Sequence, residues 1–217
     1  MYSAYDSADG YSQLKGKSLW VMPVDRSAPA RLLLKEAGDH WPACFTPDGR
    51  HVVYVLRNKS TNHRDIWMVP IEGGPPRPLL QASYNVGAPR FAPDGRWMTF
   101  DSDETGQREI YVQPYPGPGP RLRLSKAGGR TPMFTRGGRT LVYWTRDALE
   151  EVDLDLSKPE PILARRVRES VSFPAFTESP QYDFTADGST FVAVQMPTSS
   201  SRFVVSTRLM VGVPKAP

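Results

Sequence analysis

The 217-residue sequence contains one cysteine and three histidines, and this scarcity narrows the chemistry that it can support. Cys44 alone cannot form an internal disulfide framework, and its place beside Phe45 in an apolar strand predicts a small core residue. A zinc site needs several His, Cys or carboxylate ligands on converging elements, and His40, His51 and His63 are not spaced for one. We therefore expect no metal site and no cofactor.

Membrane spans, a leader peptide and long helices are also missing. No run approaches the roughly 18 apolar residues of a membrane span. The N-terminal residues lack the basic and apolar regions of a signal peptide. The sequence has 22 prolines, which argues against long helices, and no window shows sustained helical periodicity. The sequence therefore predicts one all-β domain over residues 1–217 with no membrane span.

Strong charge of one sign is absent as well. The formal net charge is +4 and the pI is near 9.2, with the charges scattered along the chain. The densest basic run, residues 165–168, is interpreted as a solvated loop between strands. The alternative, a nucleic-acid patch, lacks an aromatic platform or a recognition helix beside it. We expect no nucleic-acid partner.

What the sequence does contain is a repeated turn. The segment Phe-Ala-Pro-Asp-Gly-Arg at residues 91–96 has related copies that begin at positions 45, 134 and 184. The intervals between these four phenylalanines are 46, 43 and 50 residues. A period of roughly 40–50 residues carried by short strands is typical of a blade-type β array.

The residues of the repeated turn have a structural explanation. Pro47 presets φ at the second position of a turn, Asp48 accepts bonds from nearby backbone amides, and Gly49 supplies a positive φ. Asp48, Asp94 and Asp187 could also be read as an acidic constellation. Because each lies between a strand and the next apolar run, we interpret them as turn residues.

The repeat divides the chain into five units. The first, about residues 1–38, is partial, because it lacks the inner strand and its Pro-Asp-Gly turn. Complete units are predicted at about 39–82, 85–126, 129–164 and 171–213. Trp20, Trp67 and Tyr111 occupy equivalent third-strand positions, and we expect them to fill the space between neighbouring sheets.

The turn, the apolar strand after it and the following Ile-(Trp/Tyr)-(Met/Val)-Val segment resemble the TolB-like, WD-like β-propeller repeat family. The stretch at residues 100–112 is especially similar. The resemblance implies a β-propeller of about five four-stranded blades, and it allows a periplasmic or extracytoplasmic location. The C-terminal half is similar to the last propeller blades appended to bacterial serine/threonine kinases and transcriptional regulators, although no kinase motif is present.

Two arrangements of these blades remain open. The five units could close into a small ring, which removes exposed sheet edges and predicts a monomer. Alternatively, upstream blades are absent and the ring is incomplete, which predicts an oligomer paired through strand edges.

Catalytic patterns are few. No Gly-x-Ser-x-Gly elbow occurs, and no catalytic residue is predicted. Glu150 and Glu151 are adjacent and would point to opposite faces of a strand. Residues 101–106 resemble the start of a calcium loop, but Val112 stands where the bidentate glutamate is needed, so a hairpin is favoured.

The predicted binding surface consists of the loops that join strand two to strand three and the connections between blades. We expect these loops, at 57–64, 103–108 and 197–202 with the connections beside them, to bind a protein or peptide without catalysis. The alternative is a hydrolase or lyase whose site lies at the channel mouth around His40. The candidate binding residues are His40, Trp41, Arg64, Tyr84, Asn85, Arg108 and Arg130.

Overall fold

The structure is a computed structural model that describes residues 2–5, 17–35, 39–117, 119–158, 161–169, 182–185 and 191–193. These residues contain 17 β-strands and one short 3-10 turn at Arg136–Gly138. The strands are β1 (Tyr2–Tyr5), β2 (Lys17–Val21), β3 (Arg31–Lys35), β4 (Asp39–Phe45), β5 (His51–Arg57), β6 (Arg64–Pro70), β7 (Arg77–Leu80), β8 (Val86–Phe91), β9 (Trp97–Ser102), β10 (Glu109–Pro114), β11 (Leu122–Arg123), β12 (Arg130–Thr135), β13 (Thr140–Trp144), β14 (Leu149–Leu154), β15 (Ile162–Glu169), β16 (Tyr182–Phe184) and β17 (Phe191–Ala193).

The strands form five antiparallel sheets in chain order. Sheet A contains β1–β3, and sheets B, C and D contain β4–β7, β8–β11 and β12–β15, each strand pairing with the next along the chain. Sheet E contains the pair β16 and β17. The predicted all-β, blade-like architecture is confirmed, including a first sheet without its inner strand. The weaker strands predicted at 203–207 and 209–213 lie outside the described residues.

The core lies between the faces of neighbouring sheets. Because side chains alternate across a strand, β5 directs Val52 and Tyr54 toward sheet A and Val53 toward sheet C, and all three are buried. Burying each such side chain contributes about 1.5–3 kcal/mol. The cluster between sheets B and C is Val53, Ile66, Met68, Leu80, Val86, Met98, Phe100 and Tyr111, and the cluster between C and D is Ile110, Val112, Leu124, Leu141, Tyr143, Val152 and Leu154.

Two of the repeated third-strand aromatics, Tyr111 and Trp67, pack between neighbouring sheets as predicted. Tyr111 belongs to the cluster between sheets B and C, and Trp67 packs against the cluster between sheets A and B. Each therefore fills the gap toward the preceding sheet. Cys44 is partly buried and packs against the same cluster as Tyr111. Its burial raises the pKa of the thiol to about 11, which fits a core residue and not a nucleophile.

The repeated turns lie at one end of the sheets, which we name the turn end and define as residues 46–50, 92–96 and 135–139. In sheet B, Gly49 has φ +70° and donates its N–H to Thr46 O at 2.8 Å. Sheet C repeats this with Gly95 and Ala92 at 2.9 Å. The carbonyls of Arg50, Arg96 and Arg139 each accept an N–H at 2.8 Å from the last residue of the third strand of their sheet or from the residue after it.

The sheets pack in sequence, A on B, B on C and C on D, with the inner strands β4, β8 and β12 adjacent to one another. Arg90 on β8 ties two of these inner strands together, since its Nη1 donates to Ala43 O of β4 at 2.8 Å. In the part of the chain that the structure describes, the sheets do not close on themselves, which is consistent with an incomplete ring.

Two strand predictions need correction. The repeat predicts an outer strand over residues 121–125 in sheet C, and the strand found there spans only Leu122–Arg123. The basic run 165–168, interpreted as a loop, belongs to β15. Cross-strand acids stabilise it there, because Arg166 binds Glu151 and Asp153 of β14, and Arg168 binds Glu151. These acids are distant in sequence, so the run alone did not indicate the strand.

Candidate functional site

The end of the sheets opposite the turn end carries loops that differ from sheet to sheet. We name it the loop end and define it as the hairpin loops 58–63, 103–108 and 145–148 with the connections 81–85 and 124–129. Direct bonds join these segments. Asn85 accepts from Arg64 N through Oδ1 at 3.1 Å, its carbonyl accepts from Asp103 N at 3.2 Å, and Gly129 N donates to Arg108 O at 2.8 Å.

A cleft of about 340 Å³ opens at the loop end, between sheets C and D. It is bordered by the β9–β10 loop, the connection from sheet C to sheet D and the β13–β14 hairpin. Three of its nine lining residues are arginines, and none of the nine is acidic. The lining residues are Gln107, Arg108, Ala127, Gly128, Gly129, Arg130, Trp144, Thr145 and Arg146.

Arg108 is held in the cleft wall by a buried carboxylate. Its Nη1 lies 2.5 Å from Asp101 Oδ1, and the two side chains are 11% and 2% exposed. Asp101 Oδ2 also accepts from Thr131 N at 3.2 Å. The corresponding positions in the neighbouring sheets are Val55 and Trp144, so this ion pair is a feature of sheet C and not of the repeat.

One donor atom of Arg108 makes no hydrogen bond to the described residues. Its Nη2 is buried and has no hydrogen-bond partner among the described residues. A buried donor without an acceptor is unusual in a folded protein and calls for an explanation, such as a bound water or ion.

The connection below the cleft is fixed by Glu109, which is fully buried. Its carboxylate accepts hydrogen bonds from Gln107 Nε2 at 2.6 Å, from the Ser125 hydroxyl and from Gly128 N at 3.2 Å. The connection runs so close to β10 that a Cβ at Gly129 would lie 2.5 Å from Ile110 Cγ1. Only glycine permits this approach, and it places Arg130 at the cleft.

A second polar group lies on the same end of sheet C. Arg121 Nη1 donates to Tyr84 Oη at 2.5 Å, lies 3.5 Å from Glu104 Oε2 and stacks over the Phe100 ring at 5.7 Å. Partial burial, followed by the interaction with Glu104, raises the pKa of Tyr84. The phenol is therefore neutral at physiological pH and can donate as well as accept.

Five of the seven predicted binding residues form two groups in the structure. Arg108 and Arg130 meet in the cleft, while Tyr84, Asn85 and Arg64 lie at the junction of sheets B and C. Asn85 Nδ2 donates to Asp103 Oδ2 at 2.7 Å, so this asparagine organises the junction. Trp41 is partly buried on β4.

His40, on which the enzyme alternative depended, is 1% exposed and its ring lies 5.4 Å from that of Tyr54.

Sequence reasoning missed Trp144 and Arg146 in the cleft, whereas Gln107 lies in the predicted loop 103–108. The repeat could have indicated Arg146. The 43-residue offset between the turns of sheets C and D places Arg146 at the position equivalent to Asp103, which lies in the predicted binding loop 103–108. The hairpin 145–148 is shorter than the predicted binding loops, so its length did not indicate a binding loop. The predicted loop 197–202 lies outside the described residues.

The segment 101–106, which resembles the start of a calcium loop, leads into a hairpin as predicted, with Gly106 N donating to Asp103 O at 2.9 Å. No three His, Cys, Asp or Glu side chains of the described residues come together as a metal-binding group. Those residues also contain no helix long and apolar enough to cross a membrane.

No family model matches the sequence. An uncharacterised protein of Agrobacterium fabrum is 29% identical over 136 residues, which are 61% of this chain and 45% of that protein. Tricorn protease homolog 1 of Streptomyces coelicolor is 34% identical over 102 residues, which are 46% of this chain and 9% of the homolog. The chain thus spans less than half the length of these two curated relatives.

The crystal structure of TolB from Acinetobacter baumannii matches with a TM-score of 0.60 at 20% identity, covering 85% of this chain and 44% of that one. Shared sheet architecture at such low identity establishes the fold and leaves the activity open. The predicted resemblance is confirmed at this level: the chain has the TolB-like β-propeller fold.

Proposed function

We propose that this chain is a non-catalytic β-propeller scaffold that binds a protein or peptide at its loop end. The observation that carries the proposal is the cleft between sheets C and D, where three arginines and Trp144 line one opening. Arginine and tryptophan are enriched among residues that dominate binding energy at protein interfaces.

The contrast between the two ends of the sheets supports the same proposal. Bonds at the turn end recur from sheet to sheet, as a scaffold requires. The loops 58–63, 103–108 and 145–148 have unrelated sequences and different internal bonds. Variable loops on a rigid β scaffold are where recognition residues usually lie.

The chain covers 45% of its Agrobacterium fabrum relative and 9% of tricorn protease homolog 1. We propose that it supplies the sensor or interaction part of a signalling or TolB-like system, with the loop end facing the partner.

The test is a peptide-display selection on the 217-residue chain, followed by affinity measurements on two matched triple variants. The loop-end variant carries Arg57→Ala and Arg64→Ala, which flank the hairpin loop 58–63, together with Arg146→Ala. The turn-end variant carries Arg50→Ala, Arg96→Ala and Arg139→Ala. Each removes three positive charges, so a general electrostatic effect would weaken both equally.

Selected peptides should bind the turn-end variant as tightly as the parent chain and the loop-end variant at least about tenfold more weakly. Thermal melts of all three proteins control for folding. Peptides that lose affinity for the turn-end variant alone, or a selection that yields no binder, would contradict the proposal.

A further inference from the structure

We infer that the cleft between sheets C and D binds a carboxylate-bearing segment of an acidic peptide. This inference rests on the proposed function, because it names the chemistry of the partner segment that the loop end recognises. The occupant is assigned from the charge of the lining, from one buried donor and from the size of the opening.

The described lining of the cleft is positively charged. Arg108, Arg130 and Arg146 line the cleft, and no carboxylate is among its lining residues. Asp101 lies behind the wall, 2% exposed, and bonds to Arg108 Nη1 and Thr131 N. Glu109 is fully buried, and its carboxylate accepts hydrogen bonds from Gln107, Ser125 and Gly128. These buried acids hold the cleft wall in place and leave the opening basic.

The geometry of Arg108 identifies an acceptor as the missing group. Asp101 holds one side of the guanidinium, while Nη2 on the other branch is buried and has no partner among the described residues. A guanidinium presents its donors as a planar fork that matches a carboxylate. With Nη1 fixed by Asp101, the orientation of Nη2 is set before any ligand arrives. A ligand carboxylate bound there would therefore satisfy a donor that the described residues leave unpaired.

The size and construction of the cleft favour a short, adaptable ligand. At about 340 Å³ it is near the lower limit of ligand pockets, so it accommodates a few side chains rather than a large surface. Its arginines belong to three separate elements: the β9–β10 loop, the start of β12 and the β13–β14 hairpin. A peptide can adjust its glutamate or aspartate rotamers to such dispersed donors, whereas a rigid sugar acid has a fixed carboxylate spacing.

The experiment measures fluorescence anisotropy of fluorescein-labelled hexaglutamate with the full chain at low ionic strength, with hexaglutamine as the neutral probe. The variants are Arg130→Gln, Arg146→Gln and the control Arg50→Gln, which removes one charge at the turn end. Arg108 is left intact, since changing it would unpair the buried Asp101. Unlabelled trigalacturonate competes as a carbohydrate source of carboxylates.

Hexaglutamate should bind and hexaglutamine should not. Arg146→Gln and Arg130→Gln should each weaken binding about tenfold, the loss expected for a charge-assisted hydrogen bond, while Arg50→Gln leaves it unchanged. Equal losses in all three variants would reduce the effect to net charge and overturn the inference. Displacement by trigalacturonate at lower concentration than by unlabelled hexaglutamate would also overturn it, in favour of an acidic glycan.

The inference and the proposed function fail in different ways. If hexaglutamate does not bind but neutral peptides from the display selection bind at the loop end, the acidic occupant is wrong and the binding module stands. If no peptide binds at the loop end, both are wrong.

Discussion

The turn end and the loop end of this propeller follow opposite rules. At the turn end, Gly49 and Gly95 close the same backbone bond. In sheets B, C and D, an N–H at or just after the end of the third strand donates to the carbonyl of the equivalent arginine. Even contacts between sheets recur there: a Cβ at Gly95 would lie 2.9 Å from Pro47 Cβ, and one at Gly138 would lie 3.0 Å from Pro93 Cδ.

At the loop end, the polar interactions differ from sheet to sheet. Asn58 Oδ1 caps Ser60 N and Thr61 N within the loop of sheet B, and sheet C buries the Asp101–Arg108 pair. Sheet D closes a four-residue hairpin through Thr145 and Ala148. The repeated end maintains the sheets, and the non-repeated end is free to carry recognition. The predictions below test that division.

The largest effect is expected from Asp101→Asn, which leaves Arg108 buried without its counter-charge. Breaking a buried ion pair typically costs about 3 kcal/mol of unfolding free energy. Denaturant unfolding measures the loss. The double variant Asp101→Val, Arg108→Met should recover most of it, because Val55 occupies the corresponding site of sheet B. A loss below about 1 kcal/mol for Asp101→Asn would show that the pair is not buried as described.

A smaller effect is expected from Gly95→Ala, with Gly49→Ala as its matched control. Both glycines have φ +70°, so each substitution should cost about 1 kcal/mol for the left-handed conformation. At Gly95 the new Cβ also meets Pro47 at 2.9 Å, whereas nothing lies within 4 Å at Gly49. Overpacking should add at least about 1 kcal/mol at Gly95. Equal losses of unfolding free energy would show that the two turns do not pack against each other.

The comparison also explains how much the sequence could predict. Local rules predict the turn residues, the strand order of sheets B to D and the alternation of β5 side chains between its two faces. These rules repeat in every unit. The cleft could not be predicted this way, because Arg108, Arg130 and Arg146 are brought together by packing of sheets C and D. Burial of His40 likewise depends on neighbours such as Tyr54 that adjoin it across the sheet.

A pH-dependent effect is expected at the turn end from Asp48. Its pKa is lowered, first by the Thr46 hydroxyl, which donates at 2.6 Å, and then by Arg50 N at 3.0 Å. A lowered folded-state pKa contributes stability that is present above the unfolded value of about 3.9 and is lost as pH falls through the folded value. The difference in unfolding free energy between the parent and Asp48→Ala should therefore be largest above about pH 5 and shrink in more acidic solution. Parallel pH profiles would contradict this.

The smallest effect on stability is expected from Arg146→Gln at the loop end. Arg146 is exposed, and substitutions of such surface residues usually change unfolding free energy by less than about 0.5 kcal/mol. Denaturant unfolding should give the same midpoint as the parent chain. A clear loss of stability would mean that the hairpin 145–148 supports the fold and is not free for recognition.

The most direct test of the division between the two ends is an amide chemical-shift titration of the full chain with unlabelled hexaglutamate. The account predicts shifts confined to Gln107, Gly128, Arg130, Thr145 and Arg146, while Gly49, Gly95 and Gly137 do not move. Shifts centred on the turn-end glycines, or spread evenly over both ends, would contradict it.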